Sequence, residues 1–129
     1  MSIPVSLERL REQVAAFGRA PYLLTVSDDG RPHAVGVVAD WEDERIAVPV
    51  GRRSAENASA RPLVSLVWTP HQLGGYTLIV DGAADVTAGV DGAQVFVTPT
   101  KAVLHRAAAP DASPAEGACA SDCVSLITG

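Results

Sequence analysis

The chain has 129 residues, 47% of them hydrophobic, and a formal net charge of −5. This length indicates one domain, and the negative charge excludes general nucleic-acid binding, which needs a basic surface. There are only two Phe, two Tyr and two Trp residues, so aliphatic side chains must form most of the core.

The sequence shows neither a signal peptide nor an apolar run near the ~20 residues that span a bilayer, so no membrane association is expected. We expect a cytoplasmic protein, in which Cys119 and Cys123 are normally reduced. The pair can form a small disulfide under oxidising conditions or be inert. Because residues 107–129 are rich in Ala, Pro, Asp and Ser, they are predicted to form a flexible tail after a domain at 1–106.

The first predicted element is an amphipathic helix from Ser6 to Phe17, which Gly18 and Pro21 end. Ser6 can cap its N-terminus through the side-chain hydroxyl. Apolar residues three or four positions apart make one stripe along the helix, consisting of Leu7, Leu10, Val14 and Phe17.

Six strands are predicted, with hairpin turns at Asp28–Arg31 and Glu42–Glu44. Gly82 indicates a bulge or bend, and Pro99 an edge or a break. The order α-β-β-β-α-β-β-β favours a mostly β protein with short helices, built as a six-stranded antiparallel barrel. The predicted strands are Tyr22–Ser27, Pro32–Asp40, Arg45–Val50, Leu63–Trp68, Tyr76–Thr87 and Ala93–Arg106.

The segment from Ala47 to Pro62 predicts a strand end, a turn with two arginines and a short helix. Ser54 is placed to cap this helix, because its hydroxyl can accept hydrogen bonds from the free amides of the first turn. Helix N-termini attract anions, and Arg52 and Arg53 add planar donors suited to phosphate. The alternative is that the two arginines lie on a solvated surface.

These elements together resemble the pyridoxamine 5′-phosphate oxidase-like split-barrel superfamily. The residues that carry the resemblance are Arg31–His33, Gly51–Ser54, Asn57, Pro62–Trp68 and Leu78–Val86. The similarity covers roughly residues 7 to 106. It implies a split barrel that binds flavin mononucleotide (FMN) or the deazaflavin coenzyme F-420, usually at the interface of a homodimer.

The resemblance also implies which residues of this chain contact the cofactor. Asn57 matches an asparagine of the family pattern, and the phosphate would be held by Arg52, Arg53 and Ser54. The strand residues whose backbone would face the ring system are Val35, Val37, Val48 and Val50. Trp68 and Gln72 are further candidates that can reach the cofactor of the partner chain; for Trp68 the alternative is a core or interface aromatic.

Two departures from the family pattern affect this interpretation. The family often has a lysine at the position of Ser54, so the serine keeps a donor but loses a charge, which Arg52 or Arg53 can supply. The C-terminal extension that helps the vitamin-processing oxidases to bind their substrate has no counterpart here. Pyridoxamine phosphate is therefore not the expected substrate.

Three hypotheses follow from the resemblance. The first is an FMN-binding homodimeric oxidoreductase acting on an unidentified small molecule, with no catalytic side chain, because flavin carries the chemistry. The second is an F-420-dependent reductase, whose cofactor has an acidic tail; the basic residues available for it are Arg52, Arg53, Arg61 and Arg106. The third is a cofactor-free barrel that serves as an interaction module. No metal site is predicted, because His33, His71 and His105 form no ligand pattern.

Overall fold

Eight antiparallel strands form one curled sheet in the computed structural model, which describes residues 1–89 and 92–107. Two helices accompany the sheet, α1 at Leu7–Phe17 and α2 at Arg52–Ala60. The strands are β1 Ser2–Val5, β2 Tyr22–Val26, β3 Pro32–Gly36, β4 Asp40–Glu42, β5 Arg45–Val50, β6 Leu63–Trp68, β7 Thr77–Gly89 and β8 Gly92–His105.

The strand order is β3-β2-β6-β7-β8-β5-β4, so β3 and β4, which are consecutive in the chain, end the path on opposite sides. The long strand β8 pairs with β7 along one edge. Its other edge pairs first with β5 and then, near its end, with β1. This division of one strand between two partners curls the sheet into an open barrel.

The curl depends on a β-bulge in the pairing of β7 with β8, at the point where the sheet bends. The register shifts between Asp81 and Gly82: Asp81 pairs with Lys101 while Gly82 pairs with Pro99. A Cβ atom on Gly82 would lie 2.6 Å from the Thr98 carbonyl oxygen. Only glycine permits this close approach, which confirms the bulge predicted at Gly82.

The core lies inside the barrel and is mainly aliphatic, as the composition predicts. Leu10 and Val14 of α1 close one part of it, and Ala58 of α2 another. Inward-facing residues of the strands supply the rest. Trp68 is the large aromatic side chain among these buried residues. The strand residues below 2% exposure are Leu23, Thr25, Ile46, Val48, Leu66, Leu78, Val80, Val95 and Val97, with Trp68 at 2%.

The predicted count of six strands is wrong, because the sheet has eight. Strand β1 was missed because four residues containing Pro4 give no period-2 signal, and its pairing with β8 is a long-range contact. The predicted strand Pro32–Asp40 divides into β3 and β4. Between these two strands, the amides of Val37 and Ala39 donate to the carbonyl oxygens of Pro21 and Arg19, which precede β2 and lie outside any strand.

Helix α1 matches its prediction in extent but not in every detail. Gly18 ends it at φ 105°, and its amide donates to the Val14 carbonyl oxygen. Ser6 occupies the N-cap position but makes no side-chain capping bond, and Leu7 of the predicted stripe is 51% exposed. Within the described residues, neither helix has the length and apolarity that a membrane crossing requires. The predicted tail, apart from its first residue, and both cysteines lie outside the described residues.

We expect Gly82→Ala to lower the free energy of unfolding by about 2 kcal/mol or more, because the added methyl group overlaps backbone atoms of β8. Urea titration followed by circular dichroism measures this loss. Gly36→Ala is the matched control, since its added Cβ would meet only a Tyr22 ring carbon at 3.9 Å. Equal stability of the two variants would contradict the role assigned to the bulge.

Candidate functional site

Helix α2 begins directly after β5, and its first turn carries the two predicted arginines. Gly51 is the N-cap residue, and its carbonyl oxygen accepts from the Ala55 amide at 3.1 Å. The prediction that Ser54 caps this helix is therefore wrong. The helix starts three residues earlier, and Ser54 lies in its first turn, 3% exposed against the barrel. Since Gly51 has no side chain, the first-turn amides receive no side-chain cap.

Asn57 fixes the orientation of α2 on the barrel. Its Nδ2 donates a buried hydrogen bond to Thr25 Oγ1 of β2 at 3.1 Å. Asn57 is 5% exposed and Thr25 1%. One helical turn earlier, Ser54 is also buried, so these two residues mark the face of α2 that packs inward. The residues between them, and both arginines, are turned toward the surface.

A groove of about 770 Å³ separates the first turns of α2 from the β2–β3 hairpin. It brings together Arg52, Arg53 and Asn57, which the resemblance assigned to the cofactor site. The hairpin side was not predicted as part of the site. It comprises Ser27, Asp28, Asp29, Arg31, Pro32 and His33, and Glu56 of α2 also lines the groove.

Carboxylates and guanidinium groups alternate around this groove. Arg31 Nε lies 3.4 Å from an Asp29 oxygen, and Arg52 Nε lies 3.9 Å from a Glu56 oxygen. Arg53 is exposed and, within residues 1–89 and 92–107, has neither an ion pair nor a hydrogen bond on its side chain. Arg53 is therefore the guanidinium most available to an anion.

The Asp29 carboxylate is stabilised within the hairpin. The Ser27 hydroxyl donates to it at 2.9 Å and the Arg31 amide at 3.2 Å. These two hydrogen bonds, the Ser27 bond foremost, lower the pKa of Asp29 below its ordinary value. The stabilisation is present above the pKa of the unfolded chain and is lost as the pH falls through the folded pKa. At neutral pH this carboxylate is ionised, and its Oδ1 accepts both of these hydrogen bonds.

The strand residues assigned to the ring system lie along the opening of the barrel. The side chains of Val35, Val37 and Val50 are partly buried against the core, and Val48 is fully buried. The resemblance assigns their backbone to the ring, but the Val37 amide already donates to the Pro21 carbonyl oxygen at 3.0 Å. The β4–β5 ladder ends at Ala47, and among the described residues β3 pairs only with β2. Within that part of the chain, the outer edges of β3 and of the last residues of β5 therefore carry no strand partner.

Trp68 and Gln72 are not brought to this groove. Trp68 is 2% exposed, and its Nε1 donates to the Gly18 carbonyl oxygen at 2.9 Å, which matches the core alternative. Gln72 lies exposed in the loop between β6 and β7, where its carbonyl oxygen accepts from the Gly75 amide. In the same loop, His71 Nε2 donates to the Phe17 carbonyl oxygen at 2.9 Å.

The sequence analysis did not assign the hairpin residues to the site, because turn residues are usually interpreted as the solvated tips of hairpins. The available signal was the position of Asp28–His33 immediately after β2, the strand that Asn57 contacts. Among the residues that the structure describes, no group of three or more His, Cys, Asp or Glu side chains is arranged to hold a metal ion.

Comparison with solved structures defines the class of fold. An F-420 reductase superposes with a TM-score of 0.56 at 20% identity, covering 65% of this chain and 88% of that one. A putative pyridoxamine 5′-phosphate oxidase from Listeria innocua gives 0.61 at 16%, covering 74% and 97%. An FAD-binding protein from Mycobacterium smegmatis gives 0.61 at 15%, covering 82% and 100%. The chain has the split-barrel fold of the pyridoxamine 5′-phosphate oxidase-like superfamily, which confirms the fold implied by the resemblance.

Closer sequence similarity is found in two mycobacterial proteins. Uncharacterised proteins of Mycobacterium bovis and Mycobacterium tuberculosis are each 39% identical over 133 residues, with 93% of both chains covered. The chain belongs to the same family as these two proteins. No protein-family model matches it.

Removing the bond between α2 and β2 should destabilise the barrel. We expect Asn57→Leu to lower the free energy of unfolding by about 1–3 kcal/mol, because Thr25 Oγ1 is left buried without its donor. Adding Thr25→Val should recover part of that loss, since both polar partners are then gone. Denaturant titrations of the single and double variants measure both effects.

The control is Ser59→Ala on the exposed side of the same helix, which should be nearly neutral. Strictly additive losses in Asn57→Leu, Thr25→Val and the double variant would contradict a direct coupling between the two side chains.

Proposed function

We propose that this chain binds FMN, with the phosphate at the first turn of α2 and the ring along the open edge of the barrel. One observation carries the proposal: Arg53 has no partner among the described residues and lies on an uncapped helix N-terminus beside a groove of about 770 Å³. A groove of that volume suits a small cofactor.

The residues at the helix start fit a phosphate monoester. Three first-turn amides, 52–54, have no acceptor within the helix, and the positive end of the helix dipole adds to their attraction for an anion. Arg53 can bind phosphate oxygens directly, and Arg52 can leave its long contact with Glu56 at little cost. These groups supply the charge that the family takes from a lysine at the Ser54 position.

The ring site follows from the continuity of the chain. Strand β5 runs into Gly51 and α2, so its unpaired edge at Val48 and Val50 leads directly to the phosphate site. Across the opening, the backbone groups on the free edge of β3 are those of Ala34 and Gly36, because Val35 and Val37 direct theirs toward β2 and Pro21. Backbone donors and acceptors on both edges can hydrogen-bond to a flat heteroaromatic ring, while the buried valine side chains keep water away from it.

An oxidoreductase activity follows if FMN is bound, since FMN supplies two-electron redox chemistry on a small-molecule substrate. The residues of this chain would bind the cofactor, orient it and exclude water. No side chain in the groove is assigned as a catalytic acid or base.

Coenzyme F-420 is less well supported. Its acidic tail would need Arg61 and Arg106 besides the two helix arginines, but Arg61 is paired with Asp28, and Arg106 lies over the Tyr76 ring at 4.5 Å. Asp28, Asp29 and Glu56 on the groove would repel a polyanion. A cofactor-free interaction module is the third candidate, and a protein that takes up neither cofactor would favour it.

We further propose that two copies of the chain associate through the outer face of β2, β6 and β7. Side chains in register on these strands alternate between the buried core and this outer surface. The outward residues are mainly apolar, with one polar pair in which Ser65 Oγ donates to Asp81 at 2.6 Å. We define the outer face as Tyr22, Leu24, Val26, Leu63, Val67 and Ile79. An apolar surface of this kind is typical of a protein interface.

Changing Arg52 and Arg53 together to alanine should weaken FMN binding at least about tenfold, because an anchored phosphate loses both guanidinium groups. Quenching of flavin fluorescence measures the affinity, and the visible spectrum of the purified protein shows whether flavin is carried through purification. Arg9→Ala with Arg19→Ala removes the same charge at residues that do not line the groove, and should leave the affinity near that of the wild type. Unchanged affinity in the first double variant would refute the assignment.

Placing a charge on the outer face should separate the two copies. We expect Val67→Glu to convert a dimer into a monomer at micromolar concentration, because two buried carboxylates would face an apolar surface. Sedimentation velocity measures the mass. Leu7→Glu, at an exposed position of α1, adds the same charge elsewhere and should leave the dimer intact. A wild-type chain that sediments as a monomer would exclude this interface.

A further inference from the structure

Arg61 joins the end of α2 to the β2–β3 hairpin without lining the groove between them. It is the C-cap residue of α2, and its amide donates to the Asn57 carbonyl oxygen at 2.8 Å. Its Nε donates to the Val26 carbonyl oxygen at 2.6 Å, and its Nη2 donates to Asp28 Oδ1 at 2.8 Å. The guanidinium side chain is 34% exposed, so it is held in place by the surrounding structure.

The partner of Arg61 is one of the three carboxylates of the groove. Asp28 lines the groove together with Arg52 and Arg53, and its side chain is 95% exposed. An exposed carboxylate acts on the groove through water, over a distance set by the ionic strength. The other two carboxylates already have partners inside the groove, Asp29 in Arg31 and Glu56 in Arg52. Among the described residues, Arg61 is the cation that forms an ion pair with Asp28.

We propose that Arg61 is a positioning residue that neutralises Asp28 and so preserves the positive potential that Arg52 and Arg53 present to an anionic ligand. The identity of the ligand rests on the proposed function, but the electrostatic role does not. The competing role is mechanical: through Val26, Arg61 also ties the hairpin to the helix. The two roles differ in one consequence, since only the electrostatic role can be restored by removing the charge of Asp28.

A double-mutant cycle in the full-length chain separates these roles, with FMN as the ligand and roughly 10 mM salt, at which charges act over about 30 Å. Arg61→Ala should weaken FMN binding about three- to fivefold. Asp28→Asn should tighten it slightly, because Arg61 is then left unpaired. The double variant should return to within about twofold of the wild type, and high salt should reduce every difference.

The matched control is Arg19→Ala. Arg19 makes two hydrogen bonds of 2.8 Å to Asp40, a pair of the same kind outside the groove, so its loss should change FMN affinity much less than the loss of Arg61. Wild-type affinity in Arg61→Ala would overturn the proposal. A double variant as weak as Arg61→Ala would also overturn it, in favour of the mechanical role.

A second readout needs no ligand. Relaxation of the amide protons of residues 52–57 by a cationic and by an anionic nitroxide reports the local potential at the groove. In Arg61→Ala the cationic probe should gain effect relative to the anionic one, and Asp28→Asn should reverse that change. An unchanged ratio would refute the role of Arg61 whether or not FMN binds. Failure of the wild type to bind FMN, with the expected change in potential, would refute the proposed function alone.

Discussion

The hydrogen bond between Asn57 and Thr25 is the constraint on which the arrangement of the site depends. A helix of nine residues is too short to be stable alone, so α2 must be held by its contacts with the barrel. The buried bond at 3.1 Å fixes both its position and its rotation. Because Asn57 and Ser54 face inward, the arginines in the same turns face the groove. The buried hydrogen bond between Asn57 and Thr25, and not the arginines themselves, thus determines how α2 faces the groove.

The groove shows how an acidic chain can present a local site for an anion. The net charge of −5 describes the whole chain, whereas binding depends on which charges remain unpaired near the ligand. The carboxylates on the groove are each occupied by a hydrogen bond or an ion pair, and Arg61 extends this pairing from outside the groove. Among the described residues, Arg53 has no partner, and it lies at a helix start without a side-chain cap. Local positive potential here results from pairing of the surrounding charges, not from an excess of basic residues.

Sequence reasoning succeeded where short-range patterns govern the structure. A continuous apolar run identified β6 at its observed bounds, and the turn residues located the two hairpins. It failed where a distant partner decides the outcome. The strand β1 exists only because β8 offers an edge, and α2 starts at Gly51 because the path of β5 continues into it. Ser54 looked like a capping residue by composition, but the packing of its helix turned it inward.

The sequence by itself determined the class of fold, the location of the bulge at Gly82 and a short helix after β5, although it placed Arg52 and Arg53 in the turn before that helix. These follow from local propensity and from steric limits that act within a few residues. Only the tertiary structure decided that the β2–β3 hairpin forms the other side of the groove, that Trp68 lies in the core, and that Arg53 is unpaired within the described residues. The reason is physical: burial and charge pairing depend on residues dozens of positions apart, and no local pattern records which of them meet.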